Sequence, residues 1–98
     1  MLVPDYGNCC LQQFSTQGQH EAVLCENVIY TPSALALMGD GTAWVAATDD
    51  DELAMRLVRV NLTTGAPLIE LDCDDLGNCC PFANDLALAG DALLVLSL

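Results

Sequence analysis

Residues 33–48, SALALMGDGTAWVAAT, are written again at 84–98 as NDLALAGDALLVLSL. Leu35, Ala36, Leu37, Gly39, Asp40 and Val45 recur as Leu86, Ala87, Leu88, Gly90, Asp91 and Val95, 51 residues on, less one position deleted in the turn. A period of about 50 lies in the range of propellers and other arrays, where each repeat is a supersecondary unit that buries its apolar face against the next. The repeat therefore sets the fold as an array of similar units. A second element returns on a different spacing: DYGNCC at 5–10 comes back as DLGNCC at 75–80, 70 residues on. The segment after the first doublet, LQQFSTQGQHEAVLCENVIYT, then reads as an insertion carried by one repeat and absent from the other.

Within 33–72 the strand signals run consecutively. ALALM leads to GDGT, a glycine-rich hairpin turn, and on to AWVAAT. After the acidic DDDE comes LAMRLVRVNL, rich in branched residues, then the tight TTG turn and APLIELD. These spell four consecutive strands, A to D, in an antiparallel meander covering SALALM, AWVAAT, MRLVRVNL and PLIELD. DDDELAMRLVRV also reads as a capped helix start, but VRVNLTTG ends as a hairpin does. Upstream, AVLCENVIY is either one further strand or part of the inserted loop.

LALMGDGTAWVA followed by LVRVNLTTGAPL resembles a blade of the β-propellers found in quinoprotein-like and NHL-like repeat families. The resemblance covers about 33–72 well and 84–98 partly, and leaves 1–32 and the cysteine doublets outside it. It implies an all-β fold of propeller-like blades. The expected division is the end of a preceding repeat plus an inserted cysteine-containing loop or strand (1–32), a complete four-stranded blade with an acidic, cysteine-rich connection (33–80), and the first two strands of the next blade (81–98). These families span dehydrogenases, lactonases, adhesion modules and scaffolds, so the fold alone implies no activity.

Strand direction sorts the charges. In a meander the A–B and C–D turns share one end, and the B–C and D–A connections share the other. The first end receives the glycine turns; the second receives residues 48–52, 72–80 and the corresponding DYGNCC. Eight of the 14 carboxylates fall in 49–52 and 70–75. Two readings of this acidic end stand side by side: solvated loops, or a cation site in which Asp72, Asp74, Asp75 and Asn78 offer the hard oxygen ligands calcium takes. The spacing is not that of an EF-hand, because Leu76 and Ala83 occupy ligand positions. The net charge of −12, with two arginines and no lysine, excludes nucleic acid and anionic membrane surfaces as natural partners.

Six cysteines in 98 residues, Cys9, Cys10, Cys25, Cys73, Cys79 and Cys80, form an even set with no C-x-x-C pair. His20, the only histidine, has no partner evident in the sequence. A disulfide framework, reduced thiols and a metal–thiolate site are the alternatives; the first is preferred and places the chain in an oxidising compartment. The connectivity stays open. Asn61-Leu62-Thr63 is a glycosylation sequon in a secreted chain, and equally a tripeptide suited to the C–D turn. Arg56 and Arg59 are expected on opposite faces of strand C, one pairing with a carboxylate of the next strand and the other facing solvent. Trp44 reads as packing between sheets in preference to a binding platform.

No motif for nucleophilic, metal or phosphate chemistry is present: no G-x-S-x-G, HExxH or glycine-rich phosphate loop. No apolar run reaches the ~20 residues of a spanning helix. MLVPDYGN lacks the basic and apolar regions of a signal peptide, so the expectation is a removed signal or a piece of a longer chain. LLVLSL carries neither charge nor proline to blunt an edge. The sequence thus points to a secreted, non-enzymatic structural or adhesive β-repeat module, without a cofactor unless calcium binds. Its partners would be other copies or further blades of a larger chain. The alternative is part of a secreted β-propeller enzyme, a hydrolase or quinoprotein-like oxidoreductase, whose active site lies elsewhere.

Overall fold

The computed structural model describes residues 1–26, 28–48, 55–71, 85–90 and 92–96. Among the described residues the chain is all-β. Strands β1 (Leu2–Asp5), β2 (Cys10–Phe14) and β3 (His20–Leu24) form an N-terminal antiparallel sheet in that order. Strands β4 (Tyr30–Leu37), β5 (Thr42–Thr48), β6 (Met55–Asn61) and β7 (Pro67–Leu71) form a central four-stranded meander. Strands β8 (Asp85–Ala89) and β9 (Ala92–Leu96) pair as a two-stranded ribbon. Among the described residues no helix is long and apolar enough to cross a membrane.

The central sheet is the expected meander, with strand ends within a few residues of those read from the sequence. The helical reading of DDDELAMRLVRV (49–60) loses over its described residues, 55–60, because β6 pairs along its length with β5 and through Leu57–Val60 with β7. Its side chains also alternate between two covered faces with period two, which a helix cannot reproduce. The β4–β5 and β6–β7 turns share one end, as expected: Thr42 pairs with Asn61, and the Leu62 N–H donates to the Gly41 carbonyl at 2.9 Å.

The sequence repeat is also a repeat of register. In the central sheet Leu35 faces Val45, Ala36 faces Trp44 and Leu37 faces Ala43. In the ribbon their counterparts pair identically: Leu86 with Val95, Ala87 with Leu94, Leu88 with Leu93. Gly39 and Gly90, equivalent in the two turns, both sit at positive φ, 82° and 61°. The position deleted in the second copy is taken up in the turn, so the side-chain faces stay matched.

Burial shows how the sheets stack. On one face of the central sheet Ala43, Val45, Ala47, Val58 and Val60 pack with Leu11, Cys25 and Ile29 from the N-terminal region. On the other, Ala34, Ala36, Ala46, Met55 and Leu57 pack with Leu86 of the ribbon, and Trp44 and Leu93 lie against them. Trp44 thus packs between sheets, as its sequence context suggested. Antiparallel sheets commonly keep one wet face; this one has none across β5 and β6. Each fully buried Val or Leu contributes about 1.5–3 kcal/mol, so these two clusters supply most of the folding drive. The first strands of the three sheets are neighbours: β4 lies against β1 on one side and β8 on the other.

One irregularity marks the entry to the central sheet. The β4–β5 register shifts between Tyr30 and Ala34, where Pro32 is buried. Proline cannot donate to a ladder and is confined to edges and bulges. Thr31, at φ 40°, turns its hydroxyl onto that of Thr48 at 2.7 Å, satisfying two buried polar groups.

Two parts of the cysteine reading touch the described residues. The first cysteine doublet ends the β1–β2 turn inside a sheet, with Asp5 opposite Cys10; the second, at 79–80, lies outside the described residues. The pairing of β1 with β2 leaves only residues 6–9 to turn the chain, so the doublet is drawn into a tight hairpin. Among the described residues no disulfide is formed: Cys9, Cys10 and Cys25 are free thiols. Cys73, Cys79 and Cys80 lie outside the described residues.

Candidate functional site

The N-terminal sheet carries the richest polar chemistry of the described residues, and the alternation of β2 places it. Leu11 turns inward and is fully buried against the central sheet. Cys10 and Gln12 turn to the opposite face, beside Asp5 of β1 and His20 of β3. There the side chains form a continuous chain. His20 Nε2 donates to Gln12 Oε1 at 2.7 Å. Gln12 Nε2 donates to Asp5 Oδ2 at 3.1 Å and approaches Cys10 Sγ at 3.5 Å. Asn8 Nδ2 donates to the same Asp5 oxygen at 2.8 Å, and the Asn8 N–H reaches Asp5 Oδ1 at 3.3 Å. Phe14 meets the His20 ring edge-on, centroids 5.3 Å apart. His20, partnerless in the sequence, is thus held by two neighbours, because a register shift between Gln13 and Phe14 brings it across from Phe14.

The electrostatics show what this arrangement can do. The hydrogen bonds from Asn8 and Gln12 hold the Asp5 carboxyl below the usual aspartate range. Burial pushes the Cys10 thiol up, and the negative charges of Asp5 and Glu26 add to it. Burial pushes Cys25 up to about 11, with Cys10 adding to it. A nucleophilic cysteine needs the opposite, a cation or helix N-terminus that favours the thiolate. Here Gln12 stands between the only histidine and Cys10, and a carboxylate faces the thiol. These thiols are neutral at physiological pH and suited to packing or to slow oxidation.

A second polar group secures the β4–β5 turn. Asp40 Oδ1 accepts from the Thr42 N–H at 3.0 Å and from its hydroxyl, and Asp40 Oδ2 accepts from Arg59 Nη2 at 2.9 Å. Arg59 Nε also donates to Thr42 Oγ1 at 3.1 Å. These bonds, led by those from Thr42, lower the Asp40 pKa. Arg59 is therefore committed to the turn, where the sequence suggested solvent. Arg56 lies 3.9 Å from Glu70 on the next strand, as anticipated. Both arginines serve strand pairing.

Asn61, the sequon asparagine, closes the β6–β7 turn. Its Oδ1 accepts from the Thr63 N–H at 2.8 Å and the Thr64 N–H at 3.2 Å, while its carbonyl accepts from Gly65 N at 2.7 Å. This Asx turn gives the tripeptide a complete structural role. Asp72, Asp74, Asp75 and Asn78, the candidate calcium ligands, lie outside the described residues. Among the described residues no cluster of three His, Cys, Asp or Glu could hold a metal ion. The Asp5–Gln12–His20 chain escaped sequence reasoning. Its only trace there is the alternation of Cys10, Gln12 and Phe14, which shows a shared face but not what faces it.

No protein-family model matches the chain, and no curated protein is similar to it.

Proposed function

We propose that the chain is a non-enzymatic structural or adhesive β-repeat module of the extracellular space, built of propeller-like blades, that assembles with other copies or with further blades of a larger protein. The observation that carries this reading is the stacking of three sheets in chain order with an open outer layer on each side. The central sheet is covered on both faces by its neighbours. The flanking sheets keep apolar side chains in solvent: Val3 and Val23 on the outward face of one, Leu94, 55% exposed, on the other. On the edge strand β7, Leu68 and Ile69 point to opposite faces and both are exposed. A layered array needs a neighbour for each such surface. The first strands β1, β4 and β8 lie side by side, which suits blades set around an axis. The thiol environment argues for packing over nucleophilic chemistry, and the cysteine density fits an oxidising compartment.

Sedimentation velocity of the chain alone, at micromolar concentration in non-reducing buffer, tests the proposal. The expected result is a species heavier than the 10.4 kDa monomer, or a monomer without a cooperative melt. A single compact monomer that melts cooperatively overturns it.

A further inference from the structure

The repeat of register makes the faces of the stacked sheets comparable. Opposed residues of an antiparallel pair share a face, so Leu35 stands with Val45 on one face of the central sheet and Ala36 with Trp44 on the other. The Leu35 face looks back to the N-terminal sheet, and the Ala36 face looks forward to the ribbon. In the ribbon Leu86, the counterpart of Leu35, likewise looks back, onto the central sheet, at 5% exposure. The two junctions therefore have one direction: each sheet lays its forward face on the backward face of the next. The ribbon's own forward face carries Ala87 opposite Leu94, the counterparts of Ala36 and Trp44. Ala36 is 8% exposed beneath the ribbon, whereas Ala87, the same residue in the same register, is exposed and Leu94 is 55% exposed. What separates the two alanines is a covering sheet. At the other end of the stack Leu11 looks forward, so the backward face of the N-terminal sheet is the one that carries Gln12. Val3 and Val23 flank Gln12 in a row across the three strands, 40% and 42% exposed. The Gln12 amide is already satisfied within its sheet: Nε2 donates to Asp5 and reaches Cys10 Sγ, and Oε1 accepts from His20. Covering that row therefore leaves the amide with its partners and avoids the usual cost of burying one.

We propose that the forward face of the ribbon docks onto the backward face of the N-terminal sheet of a second copy, Ala87 and Leu94 against Val3 and Val23. The contact continues the direction of both internal junctions. It names the surfaces used by the assembly proposed above and rests on that reading. Because it joins two different surfaces it is heterologous: every added copy leaves one free face of each kind, until a ring closes or a filament grows. Ribbon on ribbon would pair two forward faces, an arrangement that neither internal junction uses. The net charge of −12 on each copy opposes the contact at low salt, so the association is strongest where salt screens that repulsion.

The test is sedimentation velocity of the full chain at micromolar concentration in about 1 M sodium chloride, where charge repulsion is screened beyond roughly 3 Å. Wild type is compared with Leu94→Glu and Val23→Glu, both at exposed positions. Far-ultraviolet dichroism and urea midpoints check that each variant folds, and Leu94→Thr and Val23→Thr replace a glutamate variant that does not. The expected result is a wild type heavier than the 10.4 kDa monomer and each variant alone reduced to that monomer. An equimolar mixture of a Leu94 variant with a Val23 variant should then regain a species of two chains and no larger, since each supplies the face the other lacks. Assembly unchanged in both variants, an effect confined to one of the two positions, or a mixture that stays monomeric overturns the proposal and leaves the module reading standing. A wild type that is monomeric without a cooperative melt likewise sinks the stacking alone. A wild type that is a compact, cooperatively melting monomer sinks the stacking and the module together.

Discussion

Leu57 and Val58 are adjacent on β6 and point to opposite faces, Leu57 toward the ribbon and Val58 toward the N-terminal sheet. They are 3% and 1% exposed. In a sheet with one wet face, only one of two adjacent residues would matter to stability. Here both should. Leu57→Ala deletes the equivalent of three buried methylene groups at about 0.8 kcal/mol each; with the residual cavity the loss is about 3 kcal/mol. Val58→Ala deletes two, for about 2 kcal/mol with its cavity. Leu68→Ala on the exposed edge of β7 should cost less than about 1 kcal/mol by the same area argument. Urea unfolding followed by Trp44 fluorescence and far-ultraviolet dichroism measures all three, with the slope m unchanged if the unfolded states are comparable. For a domain of this size the Val58 loss corresponds to a Tm lower by about 8–16 °C. If either Leu57→Ala or Val58→Ala costs under about 0.5 kcal/mol, the two-faced packing of the central sheet is wrong, and the stacked arrangement falls with it.

Acid should weaken the fold through Asp5 and Asp40. Folding lowers both pKa values, so the native state binds fewer protons than the unfolded one. The stabilisation is full above the ordinary aspartate pKa, about 3.9, and is lost as pH falls through the lower folded values. Asp40→Asn should flatten that acid limb in a pH series of urea midpoints, and an unchanged limb would exclude Asp40 from it. Gly39→Ala and Gly65→Ala both force alanine to positive φ, a cost of about 1–2 kcal/mol. Gly65→Ala also presses its side-chain carbon against the Cys25 backbone, so thermal melts should rank it the more damaging; equal losses would contradict the contact.

The meander over 30–71 was legible because its determinants are local. Apolar alternation, the glycines of GDG and TTG, and the branched residues of MRLVRV act within a few residues of themselves. The offset between 33–48 and 84–98 even carried the strand register, since Leu35 opposite Val45 and Leu86 opposite Val95 follow from the same turn placed between the same strands. What the sequence hid is non-local. That DYGNCC turns a hairpin depends on β1 finding β2, a pairing its own letters do not specify. That Arg59 grips Asp40, and that Gln12 bridges Asp5 and His20, depends on side chains reaching across a turn or between strands that only the folded sheet aligns. The continuous burial of Ala43, Val45, Ala46 and Ala47 on β5 could not be assigned to covering layers in advance. Pattern along one strand shows which residues avoid water, whereas the neighbour that excludes the water is chosen by the packing of whole sheets.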